Sequence, residues 1–229
     1  MGNYHLKRLA VPETWQISRK GAKFVTKPAP GPHTLQIGIP LNVILKDVLN
    51  YAKTTREAKK ILNAGELKVD GKVMKSFKHP VGLFDTIELT GINEFFRVIL
   101  SKKGKIELVK IKKEEARLKP CKIIGKTMVK GKIQLNLYDG KNIFADKGQF
   151  KVGDTVLLSL PDKKIMKHSR LDKQVTIFLT SGKHIGETGS IEAVVGDKII
   201  YKNLNGDLIE TLKKYAFIIG DANSFIALG

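Results

Sequence analysis

The chain has 229 residues, 42% of them hydrophobic, enough for one large domain or several small ones, so wholesale disorder is excluded. Forty-one Lys and Arg against 22 Asp and Glu leave a net charge of +19, an excess that a folded protein tolerates when its partner is a polyanion. No run approaches the ~18 apolar residues of a membrane-spanning helix, and the single Cys121 permits neither an internal disulfide nor, alone, a zinc site. The start, Met1-Gly2-Asn3-Tyr4-His5-Leu6, lacks the apolar core of a secretory leader, and Leu6 stands where a myristoylation signal needs Ser or Thr.

The positive charge is unevenly spread. Residues 1–40 carry a net +5, 41–90 carry +3, 91–170 carry +12 and 171–229 carry −1. Charge kept for solubility would be uniform, whereas a localised excess fits a surface for phosphates.

Residues 1–40 show no sustained periodicity and alternate basic pairs, Lys7-Arg8 and Arg19-Lys20, with isolated large apolar residues such as Leu9, Trp15 and Phe24. The stretch Pro28-Ala29-Pro30-Gly31-Pro32-His33 cannot be helix or central strand. The expectation is an extended basic arm whose few apolar residues dock on a neighbour. Trp15 could stack on a base but reads better as a packing anchor.

Over residues 39–64 the spacing predicts two short helices. Leu41, Ile44, Leu45, Val48 and Ala52 form one apolar stripe, with Lys46, Asp47, Asn50 and Lys53 off it. Thr54-Thr55-Arg56-Glu57 is a capping box, in which the Thr54 hydroxyl accepts from the Glu57 amide and the Glu57 side chain reaches back. Ala58, Ile61 and Leu62 face inward, leaving Arg56, Lys59, Lys60 and Asn63 outward, and Gly65 stops the helix. Backbone N–H groups at this helix start are expected to add donors for phosphate. Glu66-Leu67-Lys68-Val69 and Lys72-Val73-Met74-Lys75 then flank Asp70-Gly71, a two-residue hairpin turn, and Asp85–Leu89 is a further strand.

From residue 91 the pattern is short alternating strands separated by turn pairs such as Lys130-Gly131 and Asp139-Gly140, interrupted by one short helix over 112–118 before Pro120. After Arg170 a second set of strands, enough for an SH3-sized barrel of about 55 residues, runs from Val175–Leu179 to Phe217–Gly220. The fold class expected is therefore α+β and multidomain: arm 1–40, helix–helix–hairpin module 41–90, β-rich central domain 91–170 and C-terminal barrel 171–229.

The search for catalytic groups is nearly empty. There is no phosphate-binding Gly-x-x-x-x-Gly-Lys loop, no His-Glu-x-x-His and no Cys pair, and the five histidines are scattered. Gly186 and Gly189 read as backbone freedom for a tight bend, Asp154 as a turn residue and Cys121 as a buried small hydrophobe. The positive signal is the basic surface of the helix–helix–hairpin module and the arm before it. Its candidate RNA contacts are Lys7, Arg8, Arg19, Lys20, Lys23, Thr54, Arg56, Lys59, Lys60, Lys68, Lys72 and Lys75.

Thr54-Thr55-Arg56-Glu57-Ala58-Lys59 followed by Lys68-Val69-Asp70-Gly71-Lys72 resembles the S-four RNA-binding module, whose pattern runs Ser-Arg-x-Glu-Ala-Arg and then Val-x-Val-Asn-Gly. Thr54 stands for the Ser, Lys59 for the second Arg and Asp70 for the Asn. Thr55 replaces the first Arg, and Arg56, one position on, is its candidate substitute. His5-Leu6-Lys7-Arg8-Leu9-Ala10-Val11-Pro12, Gly31-Pro32-His33 and the bend His184–Ile191, which looks like a KOW signature, are similar to the archaeal and eukaryotic small-subunit ribosomal protein family S-four-e. The chain stops at Gly229 without the basic tail of many eukaryotic members, which points to an archaeal form.

The resemblance implies a structural, non-enzymatic protein on small-subunit ribosomal RNA, beside neighbouring ribosomal proteins and in the cytoplasm. It implies no cofactor, no metal, no small-molecule substrate and no membrane. Two other readings stay open: a transcription or translation factor that uses the KOW barrel for a protein partner, and an RNA-modifying enzyme carrying an S-four module. The enzyme would need a catalytic domain in the roughly 140 residues after residue 90, which read instead as small β modules.

Overall fold

The computed structural model describes residues 5–145, 150–221 and 224–227. It forms two units, Met1–Ile99 with Gly104–Ala116 and Leu100–Lys103 with Arg117–Gly229. Met1–Tyr4, including the Met1-Gly2 pair weighed above for lipidation, lies outside the described residues.

The first unit carries, in chain order, β1 (Leu6–Lys7), β2 (Phe24–Val25), β3 (Gly38–Pro40), α1 (Leu41–Val43) and α2 (Thr55–Asn63). There follow β4 (Leu67–Val69), β5 (Lys72–Val73), β6 (Pro80–Gly82), β7 (Thr86–Leu89), β8 (Glu94–Leu100), β9 (Ile106–Lys110) and α3 (Lys113–Ala116). The arm is folded back rather than extended. β1 pairs antiparallel with β2, and Leu6, Val11 and Trp15 are buried, so the isolated apolar residues close on their own unit. Trp15 is 2% exposed and its indole nitrogen donates to the Gly38 carbonyl at 3.0 Å, which makes it a packing anchor. The Pro-rich stretch is tied in where the Ala29 amide donates to the Lys78 carbonyl at 2.9 Å.

The first predicted helix is shorter and wider than its stripe implied. α1 passes directly into a π-helical turn, Ile44–Val48, which ends near Asn50 at φ 56°. The reason is burial on more than one face: Leu41 through Leu45 are all buried, Val43 included, so packing rather than a clean amphipathic period sets the winding. α2 follows the prediction, with Ala58 and Leu62 wholly buried.

One five-stranded sheet, in the order β5-β4-β7-β8-β9, covers this core. Asp70 at φ 50° and Gly71 at φ 74° form the predicted hairpin turn. The sheet runs past the boundary placed at residue 90. Leu89 pairs with Glu94, so β8 continues the same ladder, and Phe96 and Val98 are buried within the first unit. Arg97, 0% exposed, donates from Nη2 to the Glu115 carbonyl at 2.7 Å and so holds α3 in place. Burial lowers its pKa to about 10, which leaves it charged at neutral pH.

The second unit carries β10 (Leu118–Val129), β11 (Lys132–Leu137), β12 (Asn142–Ala145), β13 (Thr155–Ser159) and β14 (Ile165–Ser169), paired in the order β12-β11-β10-β13-β14. It continues with β15 (Thr176–Leu179), β16 (Thr188–Val195), β17 (Lys198–Asn203), β18 (Leu208–Leu212) and β19 (Ala216–Gly220), ordered β18-β17-β16-β15-β19. Both sheets are antiparallel throughout. Each closes over its own core, one around Cys121, Ile123, Leu135 and Val156, the other around Ile177, Ile191, Tyr201 and Ile218. Cys121 is buried, as its setting implied.

Charges are buried in this unit as well. Asp139 accepts from Lys119 Nζ at 3.0 Å and lies 2.9 Å from Lys141 Nζ. Burial pushes the Asp139 carboxyl up, but the two lysines outweigh it and hold the group below its ordinary value. Asp154 is likewise a structural acid: its carboxylate accepts from the Lys151 and Leu171 amides and lies 2.7 Å from His168 Nε2. Gly186, at φ 78°, is needed where it stands, because a side chain there would collide with the Ser101 carbonyl at 2.3 Å.

Candidate nucleic-acid interface

The interface begins at the start of α2. The capping box is complete: the Thr54 hydroxyl accepts from the Glu57 amide at 3.2 Å, and Glu57 Oε2 accepts from the Lys53 and Thr54 amides at 2.7 and 3.4 Å. The Lys53 amide, then the Thr54 hydroxyl, pulls the Glu57 carboxyl below its ordinary value. This changes one expectation. The helix end that was to offer backbone donors to phosphate already holds a carboxylate of its own, so Thr54 acts as a cap.

Cationic side chains are exposed along α2 and the hairpin that follows it. Arg56 and Lys60 are exposed on α2, and Lys72 and Lys75 are exposed on and just after the β4–β5 hairpin. Lys68 is less free, lying opposite Glu88 of β7 with its Nζ 3.6 Å from the carboxylate.

Phe77, in the loop after the hairpin, faces α2. Lys59 Nζ lies 4.5 Å from its ring centroid and Lys78 Nζ 5.7 Å, so one ring gathers a cation from α2 and one from its own loop. Phe77 and Lys78 were not singled out from the sequence. The only local signal is an aromatic residue inside Lys75-Ser76-Phe77-Lys78, and its meeting with Lys59 is a tertiary fact.

The arm reaches the same corner. Asn42 donates from Nδ2 to the Thr26 hydroxyl at 2.6 Å and to the Thr55 hydroxyl at 3.4 Å, linking the arm to the first residue of α2. Lys7, Lys20 and Lys23 are exposed. The two arm arginines turn inward instead. Arg8 places both terminal nitrogens 3.2 Å from Asp47 Oδ1 and also donates to the Ser18 carbonyl at 2.9 Å. Arg19 donates to the carbonyls of Leu9, Val11 and Pro12 at 3.1, 2.8 and 3.4 Å, holding the arm's turn closed.

This arrangement can attract and orient phosphates through its exposed cationic side chains. Among the described residues, no group of three or more His, Cys, Asp or Glu is placed to hold a metal ion, and no helix is long and apolar enough to cross a membrane.

Comparison with known proteins matches the same parts. Three family models align in series: the RS4NT domain over residues 2–36, the S4 domain over 39–87 and Ribosomal family S4e over 92–165. The small ribosomal subunit protein eS4 of Methanococcus maripaludis is 39% identical, over 98% of this chain and 97% of its own length. The protein of the same name from Methanocaldococcus jannaschii is 40% identical over the same shares. The chain belongs to the ribosomal S4e family. A crystal structure of the 30S ribosomal protein S4e from Thermoplasma acidophilum superposes with a TM-score of 0.70 at 33% identity, covering 82% of this chain and 98% of that one. The S4 domain match ends at residue 87, before β8, and the basic corner around α2, the hairpin and Phe77 falls inside it.

Proposed function

We propose that this member of the family is a structural constituent of the small ribosomal subunit, binding ribosomal RNA and supporting its assembly and translation without chemistry of its own. The observation that carries the reading is the exposed cationic corner made by α2, the β4–β5 hairpin and the Lys59–Phe77–Lys78 cluster within the S4 domain. Arg56, Lys59, Lys60, Lys72, Lys75 and Lys78 meet phosphates there. Lys7, Lys20 and Lys23 extend the grip along the arm, while Arg8, Arg19 and Thr54 hold the surface in shape. Such contacts read RNA by shape and backbone rather than by base sequence.

The C-terminal sheet, with its net −1, is read as an SH3-like KOW module facing a neighbouring ribosomal protein or RNA backbone rather than a phosphate-rich groove. The protein's place is then the cytoplasmic ribosome.

The test is binding to purified small-subunit ribosomal RNA across a salt series, with wild type and an Arg56→Ala, Lys60→Ala, Lys72→Ala, Lys75→Ala variant. The expected result is a steep salt dependence in wild type. The variant should bind more weakly, its slope shallower by about 0.7–0.9 for each phosphate no longer neutralised. No preference for this RNA over bulk RNA would overturn the reading and favour a protein-partner role.

A further inference from the structure

The sheet of the central domain has two faces of opposite character. On one, Leu135, Leu137 and Ala145 are buried with Cys121 and Ile123. On the other, the register aligns side chains in rows across three strands. Thr127, Gln134 and Phe144 lie opposite one another, and so do Gly125, Asn136 and Asn142. Directly opposed residues share a face with their Cβ atoms about 4.5–5.5 Å apart, so these six positions form one continuous patch.

Its composition is unusual for a solvated face. Phe144 on the edge strand β12 is 59% exposed, a large aromatic ring surrounded by amides and a hydroxyl. The amides are oriented by each other: Gln134 donates to Asn136 Oδ1 at 3.0 Å, and Asn136 donates to the Thr127 hydroxyl at 3.3 Å. Gln134 keeps its carbonyl oxygen and one N–H for an outside partner, an acceptor and a donor side by side. Gly125 contributes no side chain to the second row, and any added there would press on the Asn136 amide at 3.3 Å, so the row stays low beside the ring. Lys132, exposed on the same face, stands two residues from Gln134, about 7 Å along β11. Lys130 is exposed at the adjoining turn.

We infer that this face is a stacking platform for an unpaired nucleotide of RNA, with the base on Phe144, its edge toward Gln134 and Asn136, and its phosphate toward Lys132 and Lys130. A flat aromatic on a sheet, amides at base-edge distance and lysines one nucleotide-length away are what unstacked bases require. The +12 carried by residues 91–170 matches a polyanion rather than an apolar protein surface. The inference rests on the ribosomal RNA reading above. It adds a contact of different chemistry, through base stacking, on a different sheet from the S4 corner.

The test uses the full chain, a fluorescein-labelled single-stranded uridine octanucleotide and purified small-subunit ribosomal RNA. Phe144→Ala is expected to weaken octanucleotide binding by about 5- to 100-fold, and Phe144→Tyr to restore it. Lys132→Ala is expected to lower the salt slope by about 0.7. An octanucleotide carrying 5-iodouridine should cross-link on β11 or β12, located by mass spectrometry. The exposed position of Phe144 leaves the core intact, and an unchanged thermal midpoint verifies that. Octanucleotide binding within twofold of wild type for Phe144→Ala, with no cross-link on these strands, overturns the platform. If salt-dependent binding to the ribosomal RNA survives in that case, the function proposed above stands and the platform alone fails. Loss of salt-dependent ribosomal RNA binding by the wild type itself removes both readings.

Discussion

His33 Nε2 lies 2.7 Å from Asp85 Oδ2, with both side chains closed to solvent, so residues 52 apart in sequence clasp the arm to the sheet. Asp85 Oδ2 also accepts from the Gly82 amide at 2.9 Å, and the imidazole lies flat against Gly82, where a methyl group would fall 2.4 Å from the ring. The corner between β6 and β7 is therefore shaped to receive one ring.

Removing the ring takes a partner from a carboxylate out of reach of water. His33→Ala is expected to lower the stability of the first unit by about 3 kcal/mol, read from urea denaturation of the full chain. Gly82→Ala should also destabilise, by steric displacement of the ring. A loss under about 1 kcal/mol for His33→Ala would show that the clasp is incidental.

Trp15 is the chain's single tryptophan and is buried at 2% exposure, so its emission reports on the arm alone. Emission of the free protein is expected to be blue-shifted and to shift red together with unfolding of the first unit. Trp15→Ala should cost about 3–5 kcal/mol. Red emission from the folded free protein would mean that the arm closes only on its partner.

The basic residues separate into two groups by what their variants change. Arg8→Ala removes the pairing with Asp47, and Arg19→Ala frees three carbonyls; both should lower the thermal midpoint and leave the salt slope of RNA binding nearly intact. Arg56→Ala and Lys60→Ala should do the reverse. The idea is sunk if Arg19→Ala flattens the salt slope as much as Arg56→Ala while the melting temperature stays put.

Lys122 donates from Nζ to the carbonyls of Lys213, Lys214 and Ala216 at 3.4, 2.9 and 2.6 Å. Burial, then the nearby charge of Lys213, pushes its pKa down to about 8 from the ordinary 10.5. Between those values the folded chain releases the proton while the unfolded chain keeps it, so stability rises with pH across that window. Lys122→Met should abolish that part of the rise, measured as the difference between the two proteins' urea midpoints at pH 7, 8.5 and 10. Parallel midpoints at all three values would show that the carbonyls keep the ammonium fully charged.

Much of the local structure was legible along the chain. The capping box at Thr54, the Asp70-Gly71 turn and the alternation of Ile133, Leu135 and Leu137 each depend on residues a few positions apart, so spacing alone reveals them. The first helix departs from its spacing because an apolar period of this kind implies one buried face, whereas Val43 is buried too. The module boundary at residue 90 falls between the S4 match and the Ribosomal family S4e match, yet the ladder from β7 to β8 crosses it, because strand pairing is set between segments and not by the local sequence.

The candidate surface divides the same way. Net charge and its uneven placement pointed to a polyanion, since charge is a property of composition and electrostatic attraction acts over distance, while the capping box with outward Arg56, Lys59 and Lys60 pointed to the module around residues 54–75. Which cations remain exposed was decided by tertiary contacts. Arg8 and Lys59 look alike in sequence, but one meets Asp47 from 39 residues away and the other lies over Phe77. Phe144 is the same kind of case: strand alternation puts it on a face, but only the pairing of three strands sets it beside Gln134. Periodicity and charge belong to the chain before it folds. The partner of each side chain belongs to the packing of distant segments, which no local pattern encodes.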